Sequence, residues 1–245
     1  MKKVLIIGGA SAIASEAAKL FARDGAHLFL ADISLGRLEA VRDDIQANYK
    51  TKIDLFEINV NDYDRHDELF SSAIQSMNGI DAVLIAHGTL PDQAKAQADR
   101  HLALREFSTN GTSVISFATI AANYFEEKKL GCIAVISSVA GDRGRQSNYI
   151  YGAAKGAVSL FMQGLRNRLS KSGISVVTIK PGFVDTPMTA HLDKNPLYAS
   201  PQKIGSIIHN AMKAGKSIVY APGYWRCIML IIKHIPEAIF KKLSL

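Results

Sequence analysis

Seven short runs rich in β-forming residues punctuate this chain: Val4–Ile7, His27–Ala31, Ile53–Ile58, Ala82–Ala86, Cys132–Ser137, Ser175–Ile179 and Ser217–Tyr220. Each is nearly continuous in apolar residues rather than alternating, as in strands covered on both faces, and the segments between are long enough for crossover helices. The pattern predicts an α/β fold, a single doubly wound domain on a seven-stranded parallel sheet flanked by helices. Two helices show their ends: Ser15 to Asp24, closed by Gly25, and Lys155 to Lys171, closed by Gly173. A chain of 245 residues, 48% of them hydrophobic, fills one such domain and leaves no room for two large ones. No repeat or low-complexity linker interrupts it. Residues 1–223 therefore read as the domain, with a substrate lid around 186–215, and 224–245 as an apolar, basic tail.

A net charge of +7 suits nucleic acid, anionic lipid or a phosphorylated substrate. No nucleic-acid recognition motif accompanies it. The 2 cysteines, Cys132 and Cys227, are too few and too far apart for a disulfide framework or a metal cluster, so a reducing, cytoplasmic setting and no metal are expected. Val4 to Ile7 is too short for the apolar core of a signal peptide. Ile228 to Ile232 stops at Lys233, far short of the ~20 apolar residues that span a bilayer.

The first run leads into Gly8-Gly9-Ala10-Ser11-Ala12-Ile13-Ala14 and a helix expected near Ser15. A strand, a tight turn and a helix start form the setting in which backbone N–H groups attract a dinucleotide pyrophosphate. Ala12 and Ala14 stand where a glycine-rich version carries glycines, so the same residues also read as an ordinary βα connection. Asp32 closes the second run, followed by Ile33. A carboxylate there accepts from adenosine ribose hydroxyls and repels a 2′-phosphate, favouring NAD(H) without excluding NADP(H). Its plain alternative is a helix N-cap.

Tyr151 and Lys155 stand four residues apart, on one face if the segment is helical. An unperturbed phenol titrates near a pKa of about 10, and an adjacent ammonium is expected to pull it toward the working pH. Such a group can serve as acid for carbonyl reduction and base for alcohol oxidation. Ser138 follows the fifth run at the strand end, where open α/β sheets build their ligand crevice. A hydroxyl there can hold a carbonyl oxygen, or simply turn the chain.

Taken together, Gly8-x-x-x-Ala12-x-Ala14, Ala86-His87-Gly88, Asn110, Ser138, Tyr151-x-x-x-Lys155 and Pro181-Gly182-Phe183-Val184-Asp185-Thr186 resemble the short-chain dehydrogenase/reductase family across essentially the whole chain. The resemblance implies a Rossmann fold and an NAD(P)-dependent oxidoreductase. It implies that Ser138 orients the carbonyl, Tyr151 donates the proton, Lys155 also holds the nicotinamide ribose, and Asn110 positions a relay water. It further implies that Asn59-Val60 touches adenine, that Ala86-His87-Gly88 lines the cofactor, and that Pro181, Gly182, Val184 and Thr186 hold its nicotinamide end. A homodimer or homotetramer through the helices bearing Asn110 and Tyr151 is implied as well. Ala12, Ala14, Asn59 and His87 depart from the family's common residues. His87 is read as structural rather than as a catalytic imidazole.

Three segments, Ser137–Lys155, Lys180–Leu192 and Ile218 to the end, resemble the branch of that family that reduces decaprenylphosphoryl-2-keto-ribofuranose. This implies a polyprenyl-phosphate-linked keto-sugar and a flavin-dependent oxidase as partner. A general ketone, polyol or 3-oxoacyl reductase, or a dinucleotide-binding sensor without catalysis, shares the commoner motifs. In the tail, Trp225, Ile228, Met229, Ile232, Ile235, Ile239, Phe240 and Leu243 recur at helical steps among cations. That stripe either lies peripherally on an anionic membrane, on the inner face of the cell membrane, or packs on the core or another subunit. Between Ser138 and Tyr151, Asp142, Arg143, Arg145 and Gln146 crowd the expected mouth, where an arginine either grips a substrate phosphate or is solvated. Thr186 to Ser200, with Met188 and His191, reads as part of the lid.

Overall fold

The computed structural model describes residues 1–190 and 192–243. His191, read as part of the lid, lies outside the described residues. Seven strands pair in parallel in the order β3-β2-β1-β4-β5-β6-β7. They are β1 (Lys3–Ile7), β2 (His27–Asp32), β3 (Ile53–Glu57), β4 (Ala82–Ile85), β5 (Gly131–Ile136), β6 (Ile174–Pro181) and β7 (Ile218–Ala221). The order reverses between β1 and β4, where Ile7 pairs with Ala31 on one side and Ile85 on the other. Beyond those carboxyl ends the crossovers part, and a crevice opens.

The strands are apolar throughout because both faces are covered. Val4 and Ile6 pack in the layer of α1 (Ala12–Arg23), α2 (Leu35–Asn48) and α8 (Pro201–Lys213). Leu5 and Ile7 point the other way, into α3 (His66–Met77), α6 (Ser113–Lys128) and α7 (Tyr149–Leu169). Burying each such side chain stabilises the fold by roughly 1.5–3 kcal/mol. A charge at Ile6 would remove one of these contributions and strand an ion in the core. Two short helices, α4 (Gln93–Ala98) and α5 (Arg100–Phe107), precede the π-turn Ser108–Thr112. No described helix is long and apolar enough to cross a membrane.

Both sequence-read helices begin earlier than expected. α1 starts at Ala12 because Ser11, in extended conformation, accepts from the Ala14 N–H at 3.2 Å and so caps the helix. α7 starts at Tyr149, which places Tyr151 and Lys155 inside one continuous helix. Residues 201–213, expected within the lid, form α8 instead. Ser200 caps it by accepting from the Lys203 N–H at 3.3 Å, and Pro201 takes its first turn. Gly205 lies so close to α1 that a Cβ there would stand 2.8 Å from that of Glu16. Before α8, Val184 and Ala199 are joined by an isolated bridge.

The tail is part of the body. Trp225 and Met229 of α9 (Trp225–His234) are buried against Val139, with Ile228 and Ile232 packed beside them. The stripe read from the sequence thus faces inward along α9. The apolar residues it exposes are Leu230 and Ile231, followed by Ile239 of α10 (Glu237–Phe240) and Leu243. Arg143 fastens this end. Its Nη1 donates to the carbonyls of Ile232, Lys233 and Ile235 at 3.0, 3.0 and 2.6 Å. Its Nη2 meets Glu237 at 2.9 Å, and its guanidinium lies 3.8 Å from the centre of the Phe240 ring. The arginine therefore caps the C-terminus of α9, where carbonyls lack helical partners.

Candidate functional site

A cavity of about 750 Å³ lies along the carboxyl ends of the strands. Its wall includes Gly8, Ser11, Ala12, Ile13, Asp32, Ile33, Asn59, Val60, Ala86, His87, Gly88, Ser138, Tyr151, Lys155, Pro181, Gly182, Val184 and Thr186. Among the candidate catalytic and cofactor-binding residues read from the sequence, Asn110 is the one that does not line it. The Asn110 side chain is fully engaged behind Gly88. Its Oδ1 accepts from the Thr89 N–H at 3.0 Å, and its Nδ2 donates to the Thr89 hydroxyl and the Glu106 carbonyl, each at 3.1 Å.

The dinucleotide end is built by close backbone approach. Gly8 adopts φ +82°, and a Cβ on it would lie 2.4 Å from the His87 nitrogen, so only glycine fits. Ala12 and Ile13 follow in the first turn of α1, whose N–H groups have no partners within a helix. Asp32 braces this turn: Oδ2 accepts from the Ala10 N–H at 3.1 Å and Oδ1 from the Ile33 N–H at 2.9 Å. A cradle of amides, an acidic strand end and an apolar floor at Val60 fit a dinucleotide. Val60 is held from behind by His66, which bonds the Val60 carbonyl at 3.0 Å and stacks on Phe117 with centroids 3.7 Å apart.

At the other end, two adjacent serines divide their tasks. The Ser137 hydroxyl donates to the Lys155 carbonyl at 2.9 Å and meets Ser159 at 2.8 Å, fastening β5 to α7. Ser138, extended at φ −164°, caps the turn Val139–Asp142 by accepting from the Ala140 N–H at 3.1 Å. Tyr151 and Lys155 stand on the face of α7 that meets this turn. The Lys155 Nζ donates to the Ile136 carbonyl at 3.1 Å and lies 5.7 Å from the Tyr151 ring centre.

The match to known proteins agrees with this geometry. The model of the short chain dehydrogenase family matches residues 2–197. The chain belongs to that family. It is 29% identical over 240 residues to an oxidoreductase of Mycobacterium tuberculosis, covering 98% of this chain and 96% of the relative. An oxidoreductase of Streptomyces coelicolor is 28% identical over 243 residues, covering 99% and 96%. Among solved structures, levodione reductase superposes with a TM-score of 0.84 at 21% identity, over 91% of this chain and 97% of that one. A short-chain dehydrogenase/reductase from Mycobacterium marinum does so at 0.84 and 22% identity, over 92% and 96%. These likenesses carry the fold. The protein is accordingly an oxidoreductase of the short-chain dehydrogenase family, whose cofactor is NAD(P)(H).

Burial sets the electrostatics of this short-chain dehydrogenase's site. The Tyr151 phenol is pushed up to about 12 by desolvation, against a smaller downward pull from the Ser138 hydroxyl. This reverses the expectation that Lys155 would lower it. The Lys155 ammonium bonds a carbonyl rather than the phenol, and desolvation lowers it to about 8. His87 is held neutral: desolvation, then the Lys155 charge, drop it to about 3. Its Nε2 meets the Ser113 hydroxyl at 2.9 Å and its ring stands edge-on to Phe117, in keeping with a structural role.

Three features escape sequence reasoning. Trp225 packs on Gly182 so closely that a Cβ there would sit 1.9 Å from the indole, joining the tail to the Pro181–Thr186 segment. Asp142, expected at the mouth, is buried between the Lys180 ammonium and the Tyr220 hydroxyl, the latter donating at 2.6 Å. Arg37 reaches the turn, its Nη2 donating to the Ala10 carbonyl at 2.8 Å, and lines the cavity with Asp32. The stretch from Gly182 to Thr186 carries no signal for a tryptophan distant in the chain; only the folded contact reveals it.

Proposed function

We propose that this protein reduces the ketone of a sugar, with NADH preferred and Tyr151 as the proton donor. The observation that carries the reading is that Ser138, Tyr151 and Lys155 open onto the same cavity as the amide cradle at Gly8–Ile13. Bound reduced nicotinamide supplies the hydride. Ser138 holds the carbonyl oxygen, and Tyr151, which keeps its proton at neutral pH, gives it to that oxygen as charge develops. Lys155 stabilises the phenolate left behind and holds the nicotinamide ribose, and Asn110 supports Gly88 and the relay behind it. Asp32 selects against a 2′-phosphate. The loop from Val184 to Ala199, with Met188 and Leu192 toward the cavity, covers the substrate and excludes water.

The substrate class rests on the resemblance of segments Ser137–Lys155, Lys180–Leu192 and Ile218 onward to the reductase of decaprenylphosphoryl-2-keto-ribofuranose. On that reading the sugar is linked to a polyprenyl phosphate, and a flavin-dependent oxidase generates its 2-keto group. A general ketone, polyol or 3-oxoacyl substrate is the alternative. Purified protein offered NADH or NADPH with keto-sugars, free and polyprenyl-phosphate-linked, separates them; turnover of simple ketones alone removes the sugar reading. Self-association through α7, whose Leu160 is 70% exposed, belongs to the same proposal, and a single-chain mass on sedimentation rules it out.

A lipid-linked substrate also favours contact with an anionic membrane. Leu230 and Ile231, 61% and 69% exposed, project from α9 near Lys233, with Ile239, Lys241 and Lys242 following. Apolar side chains ringed by cations suit the headgroup boundary of such a bilayer.

A further inference from the structure

Three described residues of the cavity wall carry a buried polar side-chain atom with no hydrogen-bond partner: His87 Nδ1, Arg145 Nε and Asn148 Oδ1. His87 lies against the Gly8 turn. Arg145 and Asn148 belong to one turn at the entrance to α7, joined by the Asn148 N–H donating to the Arg145 carbonyl at 3.1 Å. Asn148 stands three residues before Tyr151.

Neither side chain is spoken for by the fold. The nearest carboxylate in sequence, Asp142, is committed to Lys180 and Tyr220, and among the described residues Arg145 has no ion pair. The neighbouring Arg143 is spent on the tail. A partly buried guanidinium without a counter-charge is costly, and its planar donors match phosphate oxygens. Asn148 occupies the N-cap of α7, where an asparagine side chain ordinarily accepts from the first-turn N–H groups. Here it makes no such bond, which leaves a buried acceptor facing a cavity. An acceptor of that kind calls for a donor on a ligand. Phe183, Met188 and Leu192 add an apolar wall to the same end.

We propose that Arg145 and Asn148 form the substrate-recognition subsite, in which Arg145 binds a phosphate or phosphodiester and Asn148 accepts from a hydroxyl of the same molecule. The inference rests on the ketoreductase reading, which puts the reacting carbonyl at Tyr151. It adds that the substrate is a hydroxylated anion, and it names the residues that select it. The anion belongs either to a free sugar phosphate or to a lipid-linked one.

The test is calorimetric titration of the full chain saturated with NAD⁺, a complex in which a ketone binds without reacting. One arm compares ribulose 5-phosphate with ribulose, and the other geranyl phosphate with geraniol. At least one phosphate is expected to bind ten-fold or more tightly than its neutral partner. R145Q is expected to abolish that advantage, R145K to retain part of it, and N148A to weaken the sugar phosphate but not geranyl phosphate. The arm with the larger Arg145-dependent advantage identifies the source of the anion. Equal binding of both phosphates and their neutral partners, or an advantage unchanged in R145Q, overturns the proposal. NAD⁺ affinity measured on the same samples verifies that each variant is folded. A wild-type chain that binds no NAD⁺, or reduces no ketone with NADH, defeats the underlying functional reading; an intact ketoreductase indifferent to R145Q defeats the subsite alone.

Discussion

The Lys155 ammonium lies 5.7 Å from the centre of the Tyr151 ring and donates its hydrogen bond to the Ile136 carbonyl, at 3.1 Å. The charge is thus held under the phenol by the end of β5, in a position 2% exposed. Keeping a cation there is a cost to folding, the trade expected where a functional site is held by its scaffold.

That cost has a pH signature. Lys155 falls from 10.5 in the unfolded chain to about 8 in the fold, so the unfolded state binds more protons between these values. Stability therefore rises with pH across this window, and the penalty is fully present below pH 8. Lys155→Met is expected to be more stable than wild type at pH 7, by about 1–3 kcal/mol after the lost hydrogen bond is counted. The difference should shrink toward pH 10.5, while turnover falls at least a hundred-fold. Denaturant melts at pH 7 and 10 check the sign; a variant less stable at neutral pH contradicts it.

Asp32 sits 9% exposed with both oxygens on backbone N–H groups of the turn, and Arg37 shares its wall. Removing the carboxylate should lift the repulsion of a 2′-phosphate and leave Arg37 to attract it. In Asp32→Ser, the ratio of kcat/KM for NADPH over NADH is expected to rise at least ten-fold. An unchanged ratio would mean that the preference is set elsewhere.

Arg143→Ala should loosen the tail. It frees the carbonyls of Ile232, Lys233 and Ile235 and the ring of Phe240, a loss of about 1–3 kcal/mol. For a domain of this size the Tm is expected to drop by a few degrees. Trypsin should then cut sooner after Lys233. Identical melting and cleavage would show that the arginine clamp contributes nothing.

Membrane contact is best tested without truncation, because a chain ending at Gly223 would also lose the buried Trp225 and Met229. Replacing Leu230 and Ile231 together by glutamate alters only exposed positions. Co-sedimentation with phosphatidylglycerol vesicles is expected to fall several-fold, and binding equal to wild type would remove the membrane reading.

The sheet was legible because continuous apolar runs have one explanation in a chain this long: Val4 and Ile6 serve one layer, Leu5 and Ile7 the other. The start of α7 was not, because Gly152 and Gly156 lower helix propensity. Their purpose is tertiary. A Cβ at Gly152 would stand 2.9 Å from the Ala140 carbonyl, and one at Gly156 would stand 3.2 Å from that of Gly141. The turn that presents Ser138 can rest on the helix only because both lack side chains. In the tail, periodicity revealed an apolar stripe but not its direction. Burial of Trp225 on Gly182 and of Met229 beside Val139 is decided by partners far away in sequence. The Tyr151–Lys155 spacing on one helix is legible in the sequence but its electrostatics are not, since burial depends on everything packed around the pair.

The proposed chemical step is transfer of the Tyr151 phenol proton to a ketone beside bound NADH. It is tested most directly by measuring NADH binding and alcohol formation from a keto-sugar, side by side, in wild type and Tyr151→Phe. Loss of one hydroxyl should leave NADH affinity within about two-fold and cut turnover by ~10²–10⁴. A phenylalanine variant that binds NADH and reduces the ketone at the wild-type rate would contradict the account.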